Sequence, residues 1–150
     1  MYSFDSFRSS RLKAFGKMKQ ITVAAAVIIR NNNGTKEVFC TQRGYGEYKG
    51  WWEFPGGKKE NAESFEQTVV REIKEELNTL VKVNKSIGTV EYDYPEFHLT
   101  MNCLLCSIVS GSLELLEHES STWLNKDNIQ SVKWLGADLL ILDKVKALLQ

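Results

Sequence analysis

The chain has 150 residues, 43% of them hydrophobic and 25% charged, the ordinary composition of one soluble domain large enough to bury a core. That excludes a small disulfide-held scaffold and a multi-domain assembly. Nineteen basic side chains balance nineteen acidic ones, so no net positive field draws in polymeric nucleic acid or an anionic membrane, and the longest apolar run, Ile21 to Ile29, falls far short of the roughly 20 residues that cross a bilayer.

Met1 to Gln20 is rich in Ser, Arg, Lys and Phe, has one acid, Asp5, and lacks the hydrophobic segment of a signal peptide. We expect a flexible extension over residues 1–19, a single domain over 20–150, and unchanged melting temperature and turnover in a version beginning at Met18. The run Ile21 to Ile29 is β-rich; Asn31-Asn-Asn-Gly34 and a second run, Val38 to Gln42, complete a hairpin. Gly44 to Gly50 is a Gly- and Tyr-bearing loop, with roles as a substrate cover or as plain exposed loop both open. Trp51-Trp-Glu-Phe54 then ends at the break Pro55-Gly-Gly57.

From Ser64 the pattern becomes helical. Ser64 and Gln67 form a capping box, Phe65, Val69, Ile73 and Leu77 recur every four residues, and Asn78 can close the helix in the left-handed conformation. Two strand-like stretches follow, Ile87 to Tyr92 and Phe97 to Val109, joined by Asp93-Tyr-Pro-Glu96 into a second hairpin. A strand near Thr122 to Leu124 and a final helix from about Leu139 to Leu149, with Asp138 as its N-cap, complete the chain. Cys40, Cys103 and Cys106 lie in apolar stretches without the spacing or histidines of a zinc site. Buried thiols in a reducing cytoplasm are expected.

Chemistry concentrates in Arg71-Glu-Ile-Lys-Glu-Glu76. At i, i+3 and i+4, Glu72, Glu75 and Glu76 fall within an arc of about 100° beside the apolar stripe. Like charges this close need a counter-charge; a hard divalent cation held by carboxylate oxygens is the usual one. Arg71 offsets only part of the charge, and taken alone such a triplet is more often a solvated, ion-paired helix face.

The upstream spacing changes that weighing. Gly57, five residues, Glu63, seven residues, then Arg71-Glu72-Ile73-x-Glu75-Glu76 resembles the Nudix box, Gx5Ex7REUxEExGU with U aliphatic. Six fixed matches have odds on the order of one in 10⁵ in a random chain. Asn78 stands where the family has Gly, and Thr79 where it has an aliphatic residue, for which Leu80 is expected to supply the apolar contact. Trp52-Glu-Phe-Pro-Gly-Gly-Lys58, Arg43 after the second strand, Glu117-His-Glu-Ser-Ser-Thr-Trp123 and Ala137-Asp138 are similar to the MutT branch.

The resemblance implies an α+β fold, an α/β/α sandwich with a mixed β-sheet between helices. It implies cleavage of a nucleoside diphosphate linked to another group, here a (deoxy)nucleoside triphosphate cut to the monophosphate and pyrophosphate, with nucleotide-pool sanitation as the physiological setting. CTP or dCTP is the leading substrate, 8-oxo-dGTP the alternative; a nucleotide sugar or dinucleotide, and a binding module without hydrolysis, are further readings. Mg²⁺, replaceable by Mn²⁺, would be held by Glu72, Glu75, Glu76, Glu117 and the Gly56 carbonyl, with Glu72 as base or shared ligand. Arg71 would orient the glutamates and Glu63 brace loop to helix. Arg43 and Lys58 would meet phosphate, although Lys58 reads equally well as a solvated surface lysine. Phe54 would stack on the base, while Trp51 and Trp52 fit the core at least as well. Asp138 would read the base, cap the last helix, or do both; His98 and His118 carry no role of their own. The expected partner is a small nucleotide, with no polymeric nucleic acid and no membrane, for a cytoplasmic monomer or homodimer.

Overall fold

In the first strand, β1 (Lys19–Asn32), side chains alternate between two interiors: Val23, Ala25 and Val27 enter one core, Ala24, Ala26 and Ile28 the other. A near-continuous apolar run is what a strand buried on both faces requires. The structure is a computed structural model that describes residues 18–150; the expected extension, apart from its last two residues, and the version lacking it concern residues outside this range.

β1 turns into β2 (Thr35–Gln42) through Asn33 and Gly34, both with positive φ, 52° and 90°, the backbone of a two-residue hairpin loop. Two short strands follow, β3 (Trp52–Glu53) and β4 (Gly56–Lys58), then helix α1 (Phe65–Leu77). Both halves of the capping box form, Gln67 N–H to Ser64 Oγ at 3.1 Å and Ser64 N–H to Gln67 Oε1 at 2.8 Å, and Asn78 closes the helix at φ 48°. β5 (Leu80–Tyr94) and β6 (Phe97–Ser110) make the long hairpin, and β7 (Ser120–Leu124) precedes two short helices, α2 (Gly136–Leu139) and α3 (Leu142–Leu148).

The sheet runs β3-β2-β1-β6-β5, with β4 also on β1 and β7 on β2; β1 and β6 are parallel and the other pairs antiparallel. Val69, Ile73 and Leu77 of α1 pack with Ala24, Ala26, Ile28 and Leu104 on one face, and Leu135, Ala137, Ile141 and Val145 pack with Val23, Val27, Leu99 and Met101 on the other. The mixed sheet between helices is therefore present. The three cysteines are buried and free, and among the described residues no helix is long and apolar enough to cross a membrane.

Two boundaries differ from expectation. β5 begins at Leu80 rather than Ile87, because register shifts between Leu80 and Val81, Val83 and Lys85, and Ser86 and Gly88 destroy the period-2 pattern that marks a strand. The single last helix is two, and Asp138 lies inside α2 rather than at an N-cap: Leu135 precedes α2 and Ile141 precedes α3, neither with a side-chain cap. The Asp138 carboxyl turns inward and accepts the Phe54 N–H at 2.9 Å, so it is not available to cap.

Candidate active site

Strand β4 meets helix α1 at Gly57 and strand β1 at Gly56. A Cβ on Gly57 would land on the Glu72 carboxyl, and one on Gly56 would land on the Ala24 carbonyl. Only residues without side chains let β4 lie this close to β1 at Gly56 and to Glu72 of the helix at Gly57. Arg71 then ties the loop to the helix: Nε donates to Glu63 Oε2 at 2.6 Å, Nη2 to Glu63 Oε1 at 2.9 Å and to the Lys58 carbonyl at 3.0 Å, and Nη1 to Glu72 Oε1 at 2.8 Å and Glu75 Oε2 at 3.3 Å. A planar guanidinium is the one side chain with enough fixed donors for this set. The Arg71 hydrogen bonds, followed by the Glu60 N–H, pull the Glu63 carboxyl down to about 2.

Glu72 and Glu76 are buried, at 7% and 0% exposure, whereas Glu75 points outward beside Arg71. Burial raises the Glu76 carboxyl well above the usual range, and the charges of Glu72 and Glu53 add to this. The segment after β6 crosses the end of the helix: Leu116 N–H donates to the Glu76 carbonyl at 3.2 Å, and His118 Nε2 lies 3.9 Å from Glu76 Oε2. Exposed Glu117 lies in the chain between these two anchors. Burial lowers His118 to about 3, which keeps its ring neutral, and neither ring nitrogen has a hydrogen-bond partner among the described residues.

These residues fit a hard divalent cation. Crowded carboxylates, one of them with its pKa raised by burial and by its acidic neighbours, and a neutral imidazole with both nitrogens buried are an environment a cation would relieve. Among the described residues no three His, Cys, Asp or Glu side chains come together in a group that could hold a metal ion by themselves. Mg²⁺ needs no such group, since it keeps waters and takes one or two carboxylates together with substrate phosphates.

The expected substrate contacts fare differently. Arg43 is fully buried, its Nη1 3.3 Å from both Glu53 oxygens, so the guanidinium pairs with an interior carboxylate. Phe54 is 3% exposed with its ring 4.7 Å from that of Trp134. Lys58 opens on a concavity of about 410 Å³ shared with Lys19, Lys59 and Phe65, and burial followed by the charge of Lys19 lowers its ammonium. Asp138 is buried; its environment and the nearby Glu53 raise its carboxyl well above the usual range. Trp51 and Trp52 are half-buried against the core.

Three further residues gather near the glutamates: Glu53, to which the sequence reading assigns no role, His118, expected to have none of its own, and Tyr45 of the loop whose role is open. Glu53 is an acid inside an apolar run, the only local signal of its buried pairing with Arg43. His118 is buried beside Glu76 despite its polar neighbours in sequence. Tyr45 lies with its ring 5.5 Å from the Arg43 guanidinium, and burial raises its phenol, with Glu117, Glu53 and Glu76 adding to the effect.

Residues 20–148 match the NUDIX domain family. The chain belongs to the Nudix family. It is similar to the 8-oxo-dGTP diphosphatase of Proteus vulgaris, 36% identical over 104 residues, which cover 69% of this chain and 88% of the relative. It is also similar to the CTP pyrophosphohydrolase of Escherichia coli, 28% identical over 131 residues covering 87% and 95% of the two chains. The crystal structure of a MutT Nudix hydrolase from Burkholderia pseudomallei superposes with a TM-score of 0.75 at 23% identity over 85% of this chain and 98% of that one. This protein is thus a pyrophosphohydrolase, a Nudix hydrolase of the MutT type, in a family that generally uses divalent metals such as Mg²⁺ and acts on small nucleotides.

The two histidines of this Nudix hydrolase should titrate far apart. His98 Nδ1 lies 2.5 Å from Asp93 Oδ1 and Nε2 2.7 Å from Glu91 Oε1, and these hydrogen bonds raise its pKa. An NMR titration is expected to show one ring with a midpoint above the ordinary 6.5 and the other neutral well into acid. Coincident midpoints would place His118 in solvent.

Proposed function

We propose that this Nudix hydrolase cuts a (deoxy)nucleoside triphosphate to the monophosphate and pyrophosphate, with CTP or dCTP as the leading substrate. The supporting observation is the cluster of Glu72 and Glu76, both buried on one helix, with Glu72 tied through Arg71 to Glu63 and to the Lys58 carbonyl of the glycine strand. A pyrophosphate resists attack because its negative oxygens repel a nucleophile, so a catalyst must supply positive charge and an activated water. Mg²⁺, for which Mn²⁺ can substitute, supplies that charge when bound. Glu72, Glu75, Glu76, Glu117 and the Gly56 carbonyl would hold it, and Glu72 would take the water's proton or share in binding. Arg71 fixes Glu72 and Glu75 in place, so that they need not reorganise when charge develops in the phosphate.

The base preference rests on Asp138. One carboxyl oxygen is engaged by the Phe54 N–H, which fixes the group, and a carboxylate can accept from the exocyclic amine of cytosine. Thymine and uracil carry a carbonyl there and would oppose acceptor with acceptor. The second reading, 8-oxo-dGTP, draws on the raised pKa of Asp138, since a protonated carboxyl can donate to a purine carbonyl. Comparison of kcat/KM for CTP, dCTP, 5-methyl-dCTP, dTTP and 8-oxo-dGTP in wild type and in Asp138→Ala decides between them. We expect dCTP to exceed dTTP by about two orders of magnitude and the ranking to flatten in the variant. An unchanged ranking in Asp138→Ala would remove Asp138 from base selection.

A further inference from the structure

The residue in which this chain leaves the family pattern most plainly, Thr79, is fully buried and uses its hydroxyl twice. Its Oγ1 donates to the Leu77 carbonyl at 2.9 Å and accepts the Leu113 N–H at 2.8 Å. Leu80, expected to fill the apolar role, is 40% exposed and does not. The hydroxyl therefore bridges the last carbonyls of α1, which a helix end leaves without intrahelical partners, to the segment that carries Glu117 and His118.

Neighbouring contacts close the same seam. Glu114 N–H donates to the Leu77 carbonyl at 2.9 Å and Leu116 N–H to that of Glu76 at 3.2 Å. Asn78, the other departure from the pattern, donates from Nδ2 to Glu114 Oε2 at 3.2 Å. Gly111 passes so close to Thr79 that a Cβ there would meet the Thr79 Cα at 2.8 Å and its Oγ1 at 2.9 Å. Leu113 adopts φ 57°, a conformation costly for a leucine, and its N–H is the one Thr79 receives.

We propose that Thr79 is a positioning residue: it clips the segment over residues 113–118 to the catalytic helix and so fixes Glu117 against Glu76. The proposal rests on the reading of Glu117 as part of the metal site. Valine at this position keeps the shape, is the residue type the family pattern has there, and removes both hydrogen bonds. Serine restores them.

The test uses Thr79→Val, Thr79→Ser and Glu117→Gln in the full chain, with Mn²⁺ affinity read by electron paramagnetic resonance without substrate, kcat and KM with Mg²⁺, and amide exchange at Leu113. Thr79→Val is expected to weaken Mn²⁺ binding about tenfold, as loss of a group supporting a metal ligand does, to lower kcat by a similar factor with KM little changed, and to speed exchange at Leu113. Thr79→Ser is expected to recover all three. Faster exchange at Leu113 in Thr79→Val with wild-type Mn²⁺ affinity and kcat would overturn the proposal. If Glu117→Gln alone leaves Mn²⁺ affinity unchanged while Thr79→Val lowers kcat and Ser restores it, the Glu117 assignment falls and the clip stands, acting through Glu76 and His118.

Discussion

Glu76→Gln is expected to lower turnover by about two to three orders of magnitude and, in EDTA, to raise the melting temperature above about pH 5. The first effect follows from removing a carboxylate at the point where the helix, the segment carrying Glu117 and His118 converge. The second follows from burial. The folded protein holds Glu76 protonated to a pH well above the 4.5 of a free side chain, so above that value the unfolded chain has released a proton that the native state retains. Stability then falls as pH rises from the unfolded value towards the folded one. Glutamine, near-identical in shape and uncharged, escapes that loss, and the two curves should meet near pH 4. Glu75→Gln, at a half-exposed position beside Arg71, is expected to lose turnover without the gain in stability. Circular dichroism melts across pH and a pyrophosphate-release assay suffice; wild-type turnover in either variant would remove that glutamate from catalysis.

Arg43→Ala or Glu53→Ala is expected to cost about 3–5 kcal/mol of stability, because each leaves its partner buried without the ion pair that compensates it. Both side chains are almost wholly buried, at 1% and 4% exposure, and Thr41 pairs with Glu53 in the sheet, which brings β2 and β3 together at this point. Replacing both, Arg43→Met with Glu53→Leu, should recover most of the loss, since a packed apolar pair has no charge to desolvate. Urea midpoints read the result. A phosphate-binding arginine would behave otherwise, with Arg43→Ala raising KM at unchanged stability.

What the sequence disclosed was local. The whole of α1 follows from contacts within one or two turns: the Ser64–Gln67 box, the four-residue apolar stripe and the left-handed Asn78. The carboxylate cluster is legible for the same reason, as are both hairpins. Arg43 and Glu53 stand ten residues apart across a loop, and nothing in either neighbourhood shows that the sheet buries one against the other. His118 enters the interior only because Glu114 and Leu116 bind the end of α1. Leu139 and Leu140 read as part of one helix, yet both are exposed and the chain breaks between α2 and α3.

The products of hydrolysis test the central reading most directly. With Mg²⁺ and dCTP or 8-oxo-dGTP, phosphorus NMR should show the nucleoside monophosphate and pyrophosphate in equal amounts, and the reaction should stop in excess EDTA. Orthophosphate with a nucleoside diphosphate, or undiminished turnover in EDTA, would contradict it.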